Sequence, residues 1–201
     1  MVEQISRREL LLLLLGTASQ EGGISEGFGG ITRLQKFIFL LQEEQDIQPT
    51  ENGFEFRAYK AGPYSSKLYD DLEFLENLGL VRSEVAAEAT EEEAVEVDLL
   101  TFEELMEEGS DSFKGSTADG FGAADAYEER RFFLTDMGLS KVKSLIANKT
   151  LKPITDGIRK IKSRYGSYSL TDLLAYIYTK YPEMAVESEI RDKVLRRRSN
   201  S

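Results

Sequence analysis

The chain contains segments in which apolar residues recur every three or four positions, and shorter segments in which apolar and polar residues alternate. The first spacing predicts helices with one buried face, because successive turns place those residues on one side. Ser6 and Glu9 form a capping-box pattern before the first helix, Gly79 ends the third, and Thr135 is placed to cap the fourth. The predicted helices span residues 6–18, 31–44, 64–78, 136–147, 153–165, 169–181 and 188–197.

Two of these helices carry further predictions. In the second helix, Thr32 is expected to cap the first turn, and Arg33 and Lys36 are expected on the polar side. The apolar stripe of the third helix is predicted to consist of Leu68, Leu72, Leu75 and Leu78.

Alternating patterns predict three short strands. Residues 54–58 place Phe54 and Phe56 on one side of a half-buried strand. Residues 80–87 and 131–135 are predicted to pair as a hairpin. These strands among helices favour the α+β, mainly helical class.

The order of the elements predicts a winged-helix-like domain over residues 1–147 and a basic helical extension over residues 148–201. Residues 21–30 contain five glycines without the spacing of a phosphate-binding loop, so they are predicted to be a flexible connector. Residues 88–129 interrupt the hairpin and are predicted to be an acidic, flexible insert in the wing.

Charge is distributed unevenly along the chain. Between Glu84 and Glu129 there are sixteen acidic residues and one basic residue, Lys114, a net charge of −15. The formal charge of the whole chain is −11, so the remainder carries +4. From Arg130 onward, sixteen basic residues face seven acidic ones, which makes the C-terminal third basic.

The chain contains no cysteine and no histidine. Disulfides, thiolate catalysis and zinc-thiolate sites are therefore excluded, and the commonest general base is missing. We expect a protein that is not an enzyme and uses no cofactor and no metal. No segment approaches the roughly 20 apolar residues of a membrane-spanning helix, so we expect a cytoplasmic protein without a membrane partner.

The N-terminal segment has an alternative interpretation. Arg7 and Arg8 precede a run of six leucines, which is similar to a twin-arginine export signal with cleavage near Ala18. The run is shorter than a signal core, and Glu9 directly precedes it. A buried first helix is therefore the favoured interpretation, with export as the alternative.

Three short motifs occur in order: Gln35-Lys36 within Arg-Leu-Gln-Lys-Phe-Ile-Phe-Leu, the turn Gly62-Pro63-Tyr64-Ser65 followed by Leu68-Tyr69, and the helix end Leu78-Gly79-Leu80. Over residues 5–147 the chain resembles the YwgA-like winged-helix proteins and the SocA-like, or Panacea, antitoxin domain. This resemblance implies a regulator or a toxin-neutralising partner. The acidic insert departs from the short wing of these families.

The third helix would be the recognition helix of a winged-helix protein, yet its polar residues are mostly acidic, and phosphates would repel them. Beside Lys67 stand Asp70, Asp71, Glu73 and Glu76. We therefore expect a non-catalytic regulatory module, antitoxin-like, that binds a protein partner such as a toxin. The predicted partner-binding residues are Tyr64, Lys67, Tyr69, Asp70 and Asp71.

A DNA-binding transcriptional regulator is the alternative function, because basic residues are concentrated after the wing. The predicted nucleic-acid-binding residues are Arg131, Lys141, Lys143, Arg159, Lys160, Lys162 and Arg164. A basic face that only balances the acidic insert is the competing interpretation. A homodimer is a further alternative, and the tyrosines after residue 164 are expected to pack in the core or an interface.

Overall fold

The structure of the chain is a computed structural model. It describes residues 5–20, 23–25, 27–50, 53–85, 130–188 and 190–199. The predicted acidic insert over residues 88–129 lies outside the described residues.

Helices dominate the described part of the chain, and each predicted helix is confirmed with small shifts at its ends. Their bounds are α1 (Arg7–Gly16), α2 (Ile31–Gln45), α3 (Ser66–Asn77), α4 (Asp136–Ala147), α5 (Lys152–Tyr165), α6 (Leu170–Lys180) and α7 (Arg191–Ser199). Short 3-10 helices, Lys149–Leu151 and Pro182–Ala185, lie before α5 and after α6.

The N-terminal helix is a core helix, as predicted. The Ser6 hydroxyl accepts a hydrogen bond from the backbone amide of Glu9 at 3.2 Å, and the Glu9 carboxylate accepts one from the Ser6 amide, which completes the capping box. All six leucines from Leu10 to Leu15 are buried. None of the described helices is long and apolar enough to cross a membrane.

In the described part of the chain, three strands form one antiparallel sheet in the order β1-β3-β2. The strands are β1 (Gly27–Gly29), β2 (Val81–Val85) and β3 (Arg130–Leu134). β3 lies in the centre, where Phe132 is opposite Phe28 on one side and Leu134 is opposite Val81 on the other. The α+β, mainly helical class is therefore confirmed, and so is the antiparallel pairing of the two segments around the insert.

Two predictions about strands are wrong. Residues 54–58 are not a strand of this sheet: Arg57 and Tyr64 form an isolated bridge, and a tight turn between Tyr59 and Gly62 closes immediately after it. On the other side of the bridge the pairing ends because Glu55 has a left-handed backbone (φ +51°), and Ser66, the residue that would lie opposite it, already begins α3. Conversely, the glycine-rich segment predicted to be a connector contains β1, which strand propensity does not reveal because glycine is depleted in strands.

Helix ends follow local chemistry with two exceptions. Gly79 adopts a left-handed conformation (φ +67°) after α3, and the Thr135 hydroxyl accepts from the amide of Gly138 at the start of α4. Gly30, rather than Thr32, is the N-cap of α2. Leu78, the C-cap of α3, is exposed rather than part of the buried stripe, because it lies one turn after the exposed Phe74 and on the same side of the helix.

The C-terminal helices share the core of the N-terminal part. α4 packs on α1, α5 packs on α2, and α6 contacts both α2 and α7. Buried residues of α1, α2, α5 and α6 belong to a single hydrophobic cluster. Burial of this apolar surface is the main stabilising term, at roughly 25 cal/mol per Å² removed from water.

Candidate functional site

The outer face of α3 is acidic. Leu68, Leu72 and Leu75 point into the core, whereas Asp70 and Glu73 are exposed. The Lys67 ammonium lies 2.5 Å from a carboxylate oxygen of Glu55, so its charge is partly compensated.

Asp71 does not lie on this face, so its prediction as an exposed partner-binding residue is wrong. Its side chain is 1% exposed, and its two carboxylate oxygens accept from Nε of Arg7 at 2.6 Å and Nε of Arg8 at 3.0 Å. A helix turns about 100° per residue, so the neighbouring acids Asp70 and Asp71 lie on different sides of α3. Asp71 thereby joins α3 to α1.

The residues of two sequence motifs meet beside α3. Nζ of Lys36 on α2 donates to the carbonyl oxygen of Pro63 at 3.0 Å, and the side-chain oxygen of Gln35 accepts from the backbone amide of Ser65 at 3.1 Å. The Ser65 hydroxyl in turn donates to the carbonyl oxygen of Phe54. Side chains of α2 therefore hold the turn that leads into α3.

Lys36 is 2% exposed, and the expectation that it lies on the polar side of α2 is wrong. Burial lowers the pKa of Lys36 to about 7, because the charged ammonium loses its hydration. Arg33, one helical turn earlier, donates to the carbonyl oxygen of Gly166 at 3.0 Å, so it caps the end of α5.

Three tyrosine rings lie next to one another at this turn, and we refer to Tyr59, Tyr64 and Tyr69 as the tyrosine ladder. Ring centroids are 4.8 Å apart for the first pair and 5.8 Å apart for the second. The Arg57 guanidinium lies 5.5 Å from the Tyr64 ring centre. Burial raises the pKa of Tyr64 and raises that of Tyr69 to about 12, so both stay neutral at physiological pH.

The tyrosine ladder contains two of the predicted partner-binding residues and one that sequence reasoning missed. Tyr59 is exposed, whereas Tyr64 and Tyr69 are half-buried. The position of Tyr59 on the arm of the tight turn opposite Tyr64 was the signal that could have identified Tyr59, since a two-residue loop brings the flanking side chains together.

The predicted nucleic-acid-binding residues differ in their exposure to solvent. Lys141, Lys143, Lys160 and Arg164 are exposed, on α4 and α5. Three others are partly buried: Arg131 on β3, Arg159, which donates to Asp156 at 2.8 Å, and Lys162. Nζ of Lys162 lies 5.4 Å from the ring centre of Phe28, and burial lowers its pKa to about 8.

The C-terminal tyrosines contact a carboxylate of α2. Glu44 accepts from the hydroxyls of Tyr165 at 2.8 Å and Tyr176 at 2.6 Å, and from Nζ of Lys180 at 2.7 Å. Burial raises the pKa of Glu44, but these hydrogen bonds outweigh burial and leave that pKa below its usual value. The cluster holds α5 and α6 against α2, as expected for packing tyrosines.

Among the described residues, no group of three or more acidic side chains is arranged to hold a metal ion. No protein-family model, curated protein or solved structure significantly matches the chain. The features of this chain that bear on function are therefore its own: the residues of α3, the turn before it and the basic helices.

Proposed function

We propose that the chain is a winged-helix regulatory module, antitoxin-like and non-catalytic, that binds a protein partner such as a toxin. Support for the winged-helix assignment comes from the element order α1-β1-α2-α3-β2-β3 and the sheet order β1-β3-β2. In this assignment α3 is the recognition helix, and β2 and β3 are the strands of the wing.

The observation that carries the proposal is the charge of the exposed face of α3. A helix that enters the major groove of DNA presents basic or amide side chains to bases and phosphates. Asp70 and Glu73 are exposed there instead, and Lys67 is paired with Glu55. Phosphates would be repelled at this face, whereas a protein with basic side chains would be attracted.

The tyrosine ladder supplies the apolar part of the proposed interface. Tyrosine is enriched in protein interfaces, because its ring buries a large area while its hydroxyl still finds a hydrogen-bond partner. Gln35 and Lys36 hold the turn that carries the ladder, so little conformational entropy is lost when a partner binds there.

A pull-down with the products of neighbouring genes tests this function, since an antitoxin is commonly encoded beside its toxin. We expect capture by the wild type, and loss of capture by the double variant Asp70→Lys/Glu73→Lys. Glu183→Lys, at an exposed acid on the 3-10 helix after α6, is the matched control. Equal capture by the double variant and the wild type would show that the partner does not bind this face.

A DNA-binding regulator remains the second candidate, because exposed lysines cluster after the wing. Lys141 and Lys143 on α4, Lys149 on the 3-10 helix and Lys160 on α5 are exposed. The test is titration with random-sequence duplex DNA at low and moderate salt, using the intact chain and a variant that lacks residues 88–129.

The charge of the deleted segment determines how that titration is interpreted. Residues 88–129 carry fifteen acidic residues and Lys114, a net charge of −14. Binding that appears after deletion and weakens steeply with salt would support the DNA function. An absence of binding by both proteins would leave the protein partner as the supported function.

We also propose that the module acts in the cytoplasm. Cleavage near Ala18 would remove α1, whose leucines are buried in the core of the domain. N-terminal sequencing of protein from the native cell tests this proposal. A start at Met1 or Val2 is the expected result, and a start after Ala18 would overturn it.

A further inference from the structure

An exposed apolar patch continues the surface of α3 beyond its acidic face. The patch consists of Phe74, Leu78 and Met137, whose exposed fractions are 38%, 49% and 54%. The first two are four residues apart and therefore lie on the same side of the helix end. A Cβ on Gly79 would lie 3.6 Å from Cε of Met137, so the methionine lies next to this helix end.

Three exposed acidic residues border this apolar patch. Asp70 lies one turn before Phe74 on the same side of α3, and Glu73 directly precedes Phe74. Asp136 directly precedes Met137, and all three acids are exposed.

Basic groups also lie near the patch. The Arg8 guanidinium lies 3.6 Å from the centre of the Phe74 ring. Lys141 lies one turn after Met137 on α4, and its ammonium lies 3.5 Å from a carboxylate oxygen of Glu9. Asp71 binds both that guanidinium and Arg7, a cluster of net charge +1, and Lys141 is paired with Glu9, so the three exposed acids still leave the rim net negative.

We infer that this patch docks an amphipathic helix of a protein partner, with an apolar stripe for Phe74, Leu78 and Met137 and with lysine or arginine on both flanks. This inference rests on the proposed function and names the class of element that the partner presents. The apolar stripe of a partner helix contacts such a patch with side chains that are three and four positions apart in its sequence. Basic flanks pair with Asp70, Glu73 and Asp136 and steer the encounter.

The same charges disfavour a second copy of the chain as the occupant. A two-fold interface brings the same patch of both copies together. The acidic rim of one copy, formed by Asp70, Glu73 and Asp136, would then lie against the acidic rim of the other, and like charges in close contact destabilise a complex. The acidic rim thus selects a partner of opposite charge.

Two synthetic helical peptides with the same leucine stripe test the inference by isothermal titration calorimetry on the full chain. One peptide carries lysines beside the stripe, and the other carries glutamates at the same positions. The lysine peptide is expected to bind the wild type, and Leu78→Ser and Met137→Ser are each expected to weaken binding about tenfold, since each removes a buried apolar side chain from the interface. Val186→Ser, at a valine that is 68% exposed in the C-terminal part, is the matched control and is expected to bind like the wild type.

Three results would overturn the inference. The first is equal binding of both peptides, and the second is full binding of the lysine peptide by Leu78→Ser with an unchanged circular dichroism spectrum. The third is a wild-type dimer that dissociates in the Leu78→Ser variant. The partner captured in the pull-down with products of neighbouring genes distinguishes failure of this docking site from failure of the proposed function. Capture that requires Tyr59 but not Leu78 would keep the proposed function and reject this docking site.

Discussion

Nζ of Lys36 lies 3.0 Å from the carbonyl oxygen of Pro63, and this contact joins the second helix to the turn that begins the third. The lysine is buried, and burial lowers its pKa to about 7. The side chain therefore fixes the turn that carries Tyr64 while holding a proton only weakly near neutral pH.

This buried lysine predicts a pH dependence of stability. The unfolded chain keeps the Lys36 proton up to about pH 10.5, whereas the folded chain releases it near pH 7. Unfolding between these values takes up a proton, so the free energy of unfolding rises with pH. Lys162, whose pKa is lowered to about 8, contributes with the same sign.

Lys36→Met isolates the contribution of Lys36. The variant is expected to lower the slope of unfolding free energy against pH by up to about 1.4 kcal/mol per pH unit between about pH 7 and pH 9, as measured by urea unfolding. Lys36→Arg stays charged at every pH, so it is expected to be less stable than Lys36→Met throughout. A slope equal to that of the wild type in Lys36→Met would contradict the assignment.

Asp71 and Asp70 are expected to differ in what they contribute to stability. Asp71→Asn leaves Arg7 and Arg8 without their buried carboxylate and is expected to lower the free energy of unfolding by about 3 kcal/mol. Asp70→Asn changes an exposed residue and is expected to change stability by less than about 0.5 kcal/mol. Thermal unfolding of both variants measures the difference, and equal stability losses would contradict the placement of the two side chains.

Glu44 is expected to make the attachment of α5 and α6 sensitive to acid. Its folded pKa lies below its usual value of 4.5, so its contribution to stability is present above that value and is lost as pH falls through the folded pKa. Glu44→Gln is expected to cost about 2 kcal/mol at neutral pH, because Lys180 and Tyr165 lose a charged acceptor.

Hydrogen exchange shows where this loss occurs. Glu44→Gln is expected to speed the exchange of amides in α6 more than of those in α1, because the cluster holds α6 to α2. Glu43→Gln, at the exposed neighbouring residue, is the matched control. Unchanged exchange in α6 would mean that the apolar contacts alone hold this helix.

Gly138 is expected to tolerate no side chain. A Cβ at this position would lie 2.0 Å from the carbonyl oxygen of Leu80, a backbone atom that cannot rotate away. Gly138→Ala is expected to lower the free energy of unfolding by about 2 kcal/mol or more, as measured by chemical denaturation. Gly29→Ala is the control and is expected to stay close to the wild type, because no atom beyond its two chain neighbours lies within 4 Å of the added methyl.

Local chemistry in the sequence determined most helix bounds. Helix α4 runs over the predicted residues 136–147, because Thr135 caps it and an apolar stripe continues to its end. Ser6 and Glu9 defined the start of α1, and Gly79 defined the end of α3. These signals act within one helical turn, so a single segment contains all of the information.

Tertiary structure alone decided the features that depend on distant partners. β1 is a strand only because β3, about one hundred residues later, offers its hydrogen-bonding edge. Lys36 and Asp71 both have polar side chains, which sequence patterns place at the surface, yet Pro63 and the two arginines of α1 satisfy them inside the fold. A buried polar group is tolerated where a partner meets it, and only the folded chain brings that partner within reach.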